Sequence, residues 1–204
     1  MDFYRLLRDR RQVRDFLKEE FPDKDLVKKL INQTLDLVPS KQNLVPYSVK
    51  VIGPEPENDK YREELFKLST HTNCLHNKNC YAPYNLIFTT RMAFPISKIT
   101  RMTFKAGQPF EQFDPVNYKA EHMLKYFGLE VGMFAMILSA FCLQENIDIA
   151  YMHCYPGEPS KWDKLPFVGD EVVYLVMSLG YRDRTKMLRG SEEKPEKDEV
   201  IEWI

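Results

Sequence analysis

Arg10, Arg11 and Arg14 lie within the stretch RDRRQVRDF at residues 8–16, where four arginines alternate with two aspartates around Gln12 and Val13. A guanidinium is a planar fork that matches phosphate oxygens in pairs, so two or three fixed arginines are enough to hold one phosphate group. An isolated charge run more often simply faces water. A nucleic-acid footprint is disfavoured, because the run is short, aspartates interrupt it and the whole chain carries a net charge of -1. Any anion site in this protein must therefore come from a local cluster.

A second stretch bears on that choice. VPSKQNLVPYSVKVIG, residues 38–53, sets Pro39, Ser40, Asn43, Pro46 and Tyr47 between a predicted helix and a predicted strand. Ser40 and Asn43 offer short polar side chains on turn-compatible backbone. A third stretch, 71–80, holds His71, Cys74, His76 and Cys80. Its spacing matches no standard zinc finger or ribbon, so it reads as a polar loop and no metal is expected. No Gly-x-Ser-x-Gly elbow or Ser-His-Asp order supports a hydrolase.

The elements that must position these residues follow from periodicity. With 204 residues, 44% of them hydrophobic, the chain suits a single domain over 1–204 with a packed core. Helices are predicted over 2–8, 23–38, 60–69 and 117–146, and strands over 46–53, 82–91, 147–155 and 171–181. A short helix is predicted within 156–167, and the terminal VIEWI reads as a further strand. In helix 23–38 the apolar set is Leu26, Leu30 and Ile31, extended by Leu37 and Val38. The most apolar run, 131–143, falls short of the roughly 18–20 residues of a membrane span and predicts a buried core helix. The N-terminus lacks the apolar region of a signal peptide, which predicts a cytoplasmic chain with reduced cysteines. Residues 92–116 show no period and carry Phe94, Phe104, Phe110 and Phe113, so they read as a functional excursion.

In order along the chain, these motifs resemble the FMN-dependent nitroreductase superfamily. Arg10-Arg11-Gln12-Val13-Arg14-Asp15-Phe16 is similar to its opening Arg-Arg-Ser-x-Arg-x-Phe motif. Pro39, Ser40, Asn43, Pro46 and Tyr47 resemble its Pro-Ser-x-x-Asn-x-x-Pro-Trp loop. Ala82-Pro83-Tyr84, Leu179-Gly180-Tyr181 and Lys194-Pro195 follow in the expected order. Gln12 stands where the family usually has Ser, Tyr47 where Trp is common, and Glu193 where a basic residue often serves the phosphate.

The resemblance implies an α/β (α+β) sandwich, with a mostly antiparallel central sheet flanked by helices and a C-terminal strand extending to the partner of a homodimer. FMN would be the cofactor and NAD(P)H the electron donor. A nitroaromatic, quinone or similar acceptor would be reduced by ping-pong hydride transfer through flavin N5. By position, Arg10 and Arg11 would contact the phosphate and ribityl chain, with Gln12 beside them and Arg14 at the flavin N1 edge. Pro39, Ser40 and Asn43 would reach the flavin from the other subunit. His153 and Tyr155 would approach N5, with Tyr155 or a backbone N–H as donor. Lys194 or Arg189 would stand in for the late basic residue. The 92–116 segment would cap the site, its phenylalanines stacking on substrate or packing across the dimer. Reductive dehalogenation within the same superfamily, and a non-enzymatic flavin-binding or interaction protein, are the alternatives.

Overall fold

The computed structural model describes residues 3–40, 43, 45–70, 77–91, 120–156, 159–188 and 194–202. Its centre is a four-stranded sheet of β1 (Tyr47–Ile52), β2 (Tyr84–Thr90), β3 (Asp148–Met152) and β4 (Val173–Gly180). The spatial order is β1-β2-β4-β3 and every pairing is antiparallel. The predicted strands therefore survive with their ends trimmed by one to three residues, as expected where ladders stop and turns begin.

Six of the seven β2 residues are buried, which requires cover on both faces of the sheet. Alternation along the strands supplies two cores. Leu86, Phe88, Met177, Leu179 and Ile149 point to one face, where they meet α2 (Lys24–Leu37) and α4 (Ala120–Gln144). Ile87, Val176, Val173 and Met152 point to the other. There they meet α3 (Asp59–Thr70) through Leu65 and Leu68, and the 159–168 segment through Trp162, Leu165 and Val168.

Helix α2 starts where Asp23, after Pro22, accepts hydrogen bonds from the backbone N–H groups of Asp25 (2.9 Å) and Leu26 (3.1 Å). It buries Val27, Leu30 and Thr34, while Leu26 and Ile31 flank the core. Leu37, expected on the apolar face, is exposed, as is Leu35. In α4 the window Phe127–Gln144 has a mean hydropathy of 1.7 over 18 residues, a longer apolar run than 131–143. It is long and apolar enough to cross a membrane, yet half of it is buried inside this fold.

Of the strand expected over 200–204, residues 203–204 lie outside the described residues. Lys197–Val200 form one helical turn, α5, and the backbone becomes extended only at Ile201. The Lys-Asp-Glu-Val sequence suits a helix, whereas a strand needs a neighbour to pair with, and none lies beside it among the described residues. The short helix α1 (Phe3–Asp9) precedes the arginine cluster.

Arg62 of α3 ties the second face together. Its buried guanidinium donates to the carbonyls of Gly53, Ala82 (3.2 Å) and Pro83 (3.0 Å), and pairs with Asp59 at 2.7 Å. Removing it strips buried carbonyls of their donor, which costs far more than the net value of a hydrogen bond. Arg62→Leu is expected to lower unfolding stability by about 3 kcal/mol in urea titrations. A change below about 1 kcal/mol would refute this anchoring role.

Candidate functional site

Helix α1 ends at Asp9, and Arg11 caps its free carbonyl end. Arg11 Nη1 donates to the carbonyls of Arg8 (2.9 Å) and Arg10 (3.0 Å). The chain then runs along the outer edge of β3. Gln12 imitates a strand residue: its Nε2 donates to the Tyr151 carbonyl (2.6 Å) and its Oε1 accepts from the Tyr151 N–H (3.1 Å). Val13 is buried, and its N–H donates to the Ile149 carbonyl (3.2 Å). Farther along, Leu17 N–H donates to Tyr181 O (2.8 Å), Asp183 N–H donates to Asp15 O (2.9 Å), and Phe16 bridges Arg182. The glycine of Leu179-Gly180-Tyr181 allows this close approach. A Cβ there would meet Pro83 Cδ at 2.7 Å and Phe16 Cδ1 at 3.0 Å.

This docking closes an exposed sheet edge and fixes the arginines in space. The Arg10 guanidinium lies 5.5 Å from the Tyr151 ring centroid. That ring is held in turn by α4, since the Tyr151 hydroxyl is hydrogen-bonded to Ser139 and donates to Ala135 O (3.3 Å). Burial raises the hydroxyl's pKa, opposed by the Ser139 bond and by Arg10.

Arg14 enters a cleft of about 240 Å³ between this segment and the chain that follows β4. Lys78, Arg182 and Lys186 join it there with Gln12, Asp15 and Asp183, and Met187 and Leu188 complete the rim. Among the described residues none of the four cations takes part in a salt bridge. The four cations outnumber the carboxylates of Asp15 and Asp183, and the net positive charge that remains suits an anion. Lys78 falls in the stretch that reads as a polar loop, and nothing in the sequence motifs singles out Arg182 or Lys186. The signal that finds them is basic residues directly before one sheet strand and directly after another.

The Pro39–Asn43 loop lies elsewhere. Ser40 Oγ accepts from Val45 N–H (2.8 Å) and Asn43 N–H donates to Ser40 O (3.1 Å). Asn43 and Val45 both have positive φ, 54° and 46°. For the β-branched Val45 this is a strained conformation. Arg91 holds it by donating from Nε to Val45 O (3.0 Å) and from its backbone N–H to Pro46 O (3.0 Å). Pro39 and Asn43 are exposed. The loop leads into β1, at the opposite edge of the sheet from the arginine segment on β3. Three strand spacings, about 14 Å, separate those edges, so one copy of the chain does not bring the two motifs together.

The two strand-end candidates diverge. His153 is exposed and rests edge-on against Tyr174, with centroids 5.1 Å apart. Tyr155, expected to offer its hydroxyl to a ligand, points into the second core instead. It stacks near Trp162 (5.4 Å), its hydroxyl faces Met152 Sδ at 3.6 Å, and burial pushes its pKa well up. Gln12 likewise has both ends of its amide committed to Tyr151. Lys194 is exposed and does not line the cleft. Arg189, Phe94, Phe104, Phe110 and Phe113 lie outside the described residues, as does 71–76 of the His/Cys stretch.

No protein-family model matches the sequence, and no curated protein sequence matches it. Solved structures do. A nitroreductase family protein from Streptococcus pneumoniae superposes with a TM-score of 0.69 at 22% identity, over 100% of both chains. The chain has the nitroreductase fold. A protein from Staphylococcus epidermidis assigned as an NAD(P)H:FMN oxidoreductase gives 0.76 at 16% identity, over 100% of this chain and 96% of the other. One from Exiguobacterium sibiricum, assigned as a nitroreductase and solved with FMN, gives 0.74 at 16%, over 100% and 98%. The nitroreductase fold accounts for the antiparallel sheet and its helical layers, as the motif order implied.

Two predictions follow from this geometry. Gln12→Leu is expected to cost about 1–2 kcal/mol and to speed hydrogen exchange at the Tyr151 amide, with the rest of the sheet unchanged. Unaltered exchange at Tyr151 would show that the clamp is dispensable. Separately, burial pushes the Cys80 thiol up to about 12 and also raises Cys142. Because the folded protein holds these protons more tightly than the unfolded chain, stability falls as pH rises above the ordinary thiol range. Both thiols are expected to resist a thiol reagent at pH 8 until denaturant is added; rapid native labelling at either would contradict it.

Proposed function

We propose that this protein is an FMN-dependent oxidoreductase of the nitroreductase superfamily, acting as a homodimer with NAD(P)H as donor and a nitroaromatic or quinone-like acceptor. The observation that carries the reading is the cation-lined cleft, placed by the Arg10–Phe16 segment against the β3 edge of a nitroreductase fold. The donor set suits the cofactor: guanidinium and ammonium groups for phosphate and for the electron-rich flavin edge. FMN, when bound, supplies the two-electron redox chemistry.

The chain's own residues bind and orient. Arg10, carried on the Tyr151 ring, and Arg14, at the cleft wall, present fixed positive charge. Arg14 and Lys78, which line the cleft together, would stabilise negative charge on the pyrimidine edge of a bound flavin and so favour its reduction. Because the Tyr155 hydroxyl faces inward, a donor toward N5 would have to come from the backbone of the strand-end turn, which Trp162 Nε1 steadies by donating to Pro156 O (3.0 Å).

The cleft is smaller than the roughly 300–1,000 Å³ of most small-molecule pockets. A second copy completes it by bringing its own 39–43 loop. The surface for that copy would be apolar: Leu129 (62% exposed) and Met136 (48%) are exposed on α4, and Leu35 and Leu37 are exposed on α2. A second reading, a flavin-binding protein without turnover, draws on Gln12, whose amide is committed to Tyr151 and is not offered to a ligand.

The purified protein is expected to be yellow, or to become so with added FMN, and NADH or NADPH should bleach the flavin absorbance. Colour without bleaching selects the second reading, and failure to take up FMN rejects both. Arg14→Ala is expected to weaken FMN binding about tenfold or more, or to slow bleaching by a similar factor; wild-type flavin content and rate would remove Arg14 from the site. Size-exclusion chromatography with light scattering should give a dimer, which Met136→Glu shifts toward monomer.

A further inference from the structure

We infer that Arg182 and Lys186, carried on the turn that leaves β4, hold the phosphate of the cofactor, an inference that rests on the flavin reading above. In the motif order, the late basic position expected to serve the phosphate is Glu193, and the described candidate replacement, Lys194, does not line the cleft. The cleft nevertheless has two cations beyond Arg14 and Lys78, and both come from this turn.

The turn is built to hold them. Asp183 Oδ1 accepts from the Thr185 N–H (2.9 Å) and the Thr185 hydroxyl (2.6 Å), and Lys186 N–H donates to Asp183 O (3.1 Å). The Thr185 bonds, helped by Lys186, hold the Asp183 carboxyl below its usual pKa, so this acid is engaged in shaping the turn. The Arg182 backbone is fixed from two sides. Its N–H donates to Asp148 Oδ2 (3.0 Å), and it bridges Phe16 in the segment that carries Arg14. Arg14 and Arg182 therefore come to one cleft on two strand-like segments that are bonded to each other. Four cations against Asp15 and Asp183 leave a formal excess of two positive charges. A phosphate monoester carries about −1.5 to −2 at neutral pH.

Riboflavin separates the phosphate from the rest of the cofactor. Binding of FMN and of riboflavin to the full-length protein, followed by flavin fluorescence, is expected to show that wild type prefers FMN. The double variant R182A/K186A should lose FMN affinity about tenfold or more while keeping riboflavin affinity within about twofold. Inorganic phosphate should compete with FMN, but not with riboflavin, in the wild type. The charge-preserving Arg182→Lys variant, which guards against a folding defect, should retain most of the preference. Equal loss of both flavins, or no loss of either, overturns the assignment and leaves the flavin reading standing. Wild-type protein that binds neither flavin overturns both.

Discussion

The arrangement of this molecule depends on one contact set, the docking of residues 12–17 along the outer edge of β3 and the exit of β4. It does three physical jobs at once. It pairs backbone groups that an edge strand would otherwise leave open, it buries Val13, and it converts a flexible run of arginines into charges at fixed positions. The side chain of Gln12 acts in place of a backbone pair. Arg10 and Arg14 gain directional meaning only because their backbone is held this way.

The sheet beneath can support that docking because it is covered twice. Strictly alternating side chains feed two cores, and a β-bulge between Phe88 and Thr89 locally breaks the register. Tyr174, the extra residue on β4, lies over Gly128 of α4, where a Cβ would meet its hydroxyl at 2.7 Å. Tyr174 in turn meets Phe127 and His153, so the helix is locked to the start of β4 and the end of β3.

Much of this fold was legible because its elements are strongly periodic. All four sheet strands and the helices over 23–38, 60–69 and 117–146 stand within about three residues of where alternation and helical spacing put them. The helical turn at Lys197–Val200 was not foreseen, because its charged residues carry no apolar period, while two residues of VIEWI lie outside the described residues. Along the arginine segment, the partners of individual side chains were not legible. Gln12 finds Tyr151 across 139 residues, Arg11 turns back on its own helix end, and Tyr155 folds inward. Lys78 and the cations of the 182–186 turn reach the cleft only through long-range strand pairing. Spacing within a segment reports what can share a face; it says nothing of which distant backbone a side chain meets.

The placement of the two sequence motifs at opposite sheet edges has a genetic consequence. In a dimer whose two sites each take an arginine segment from one copy and a 39–43 loop from the other, every site is a product of two alleles. A copy damaged in its arginine segment and a copy damaged in its loop, when paired, yield one site with both lesions and one with neither. Two individually inactive alleles would then complement each other through mixed dimers with one intact site of two, whereas two alleles damaged at the same edge would not.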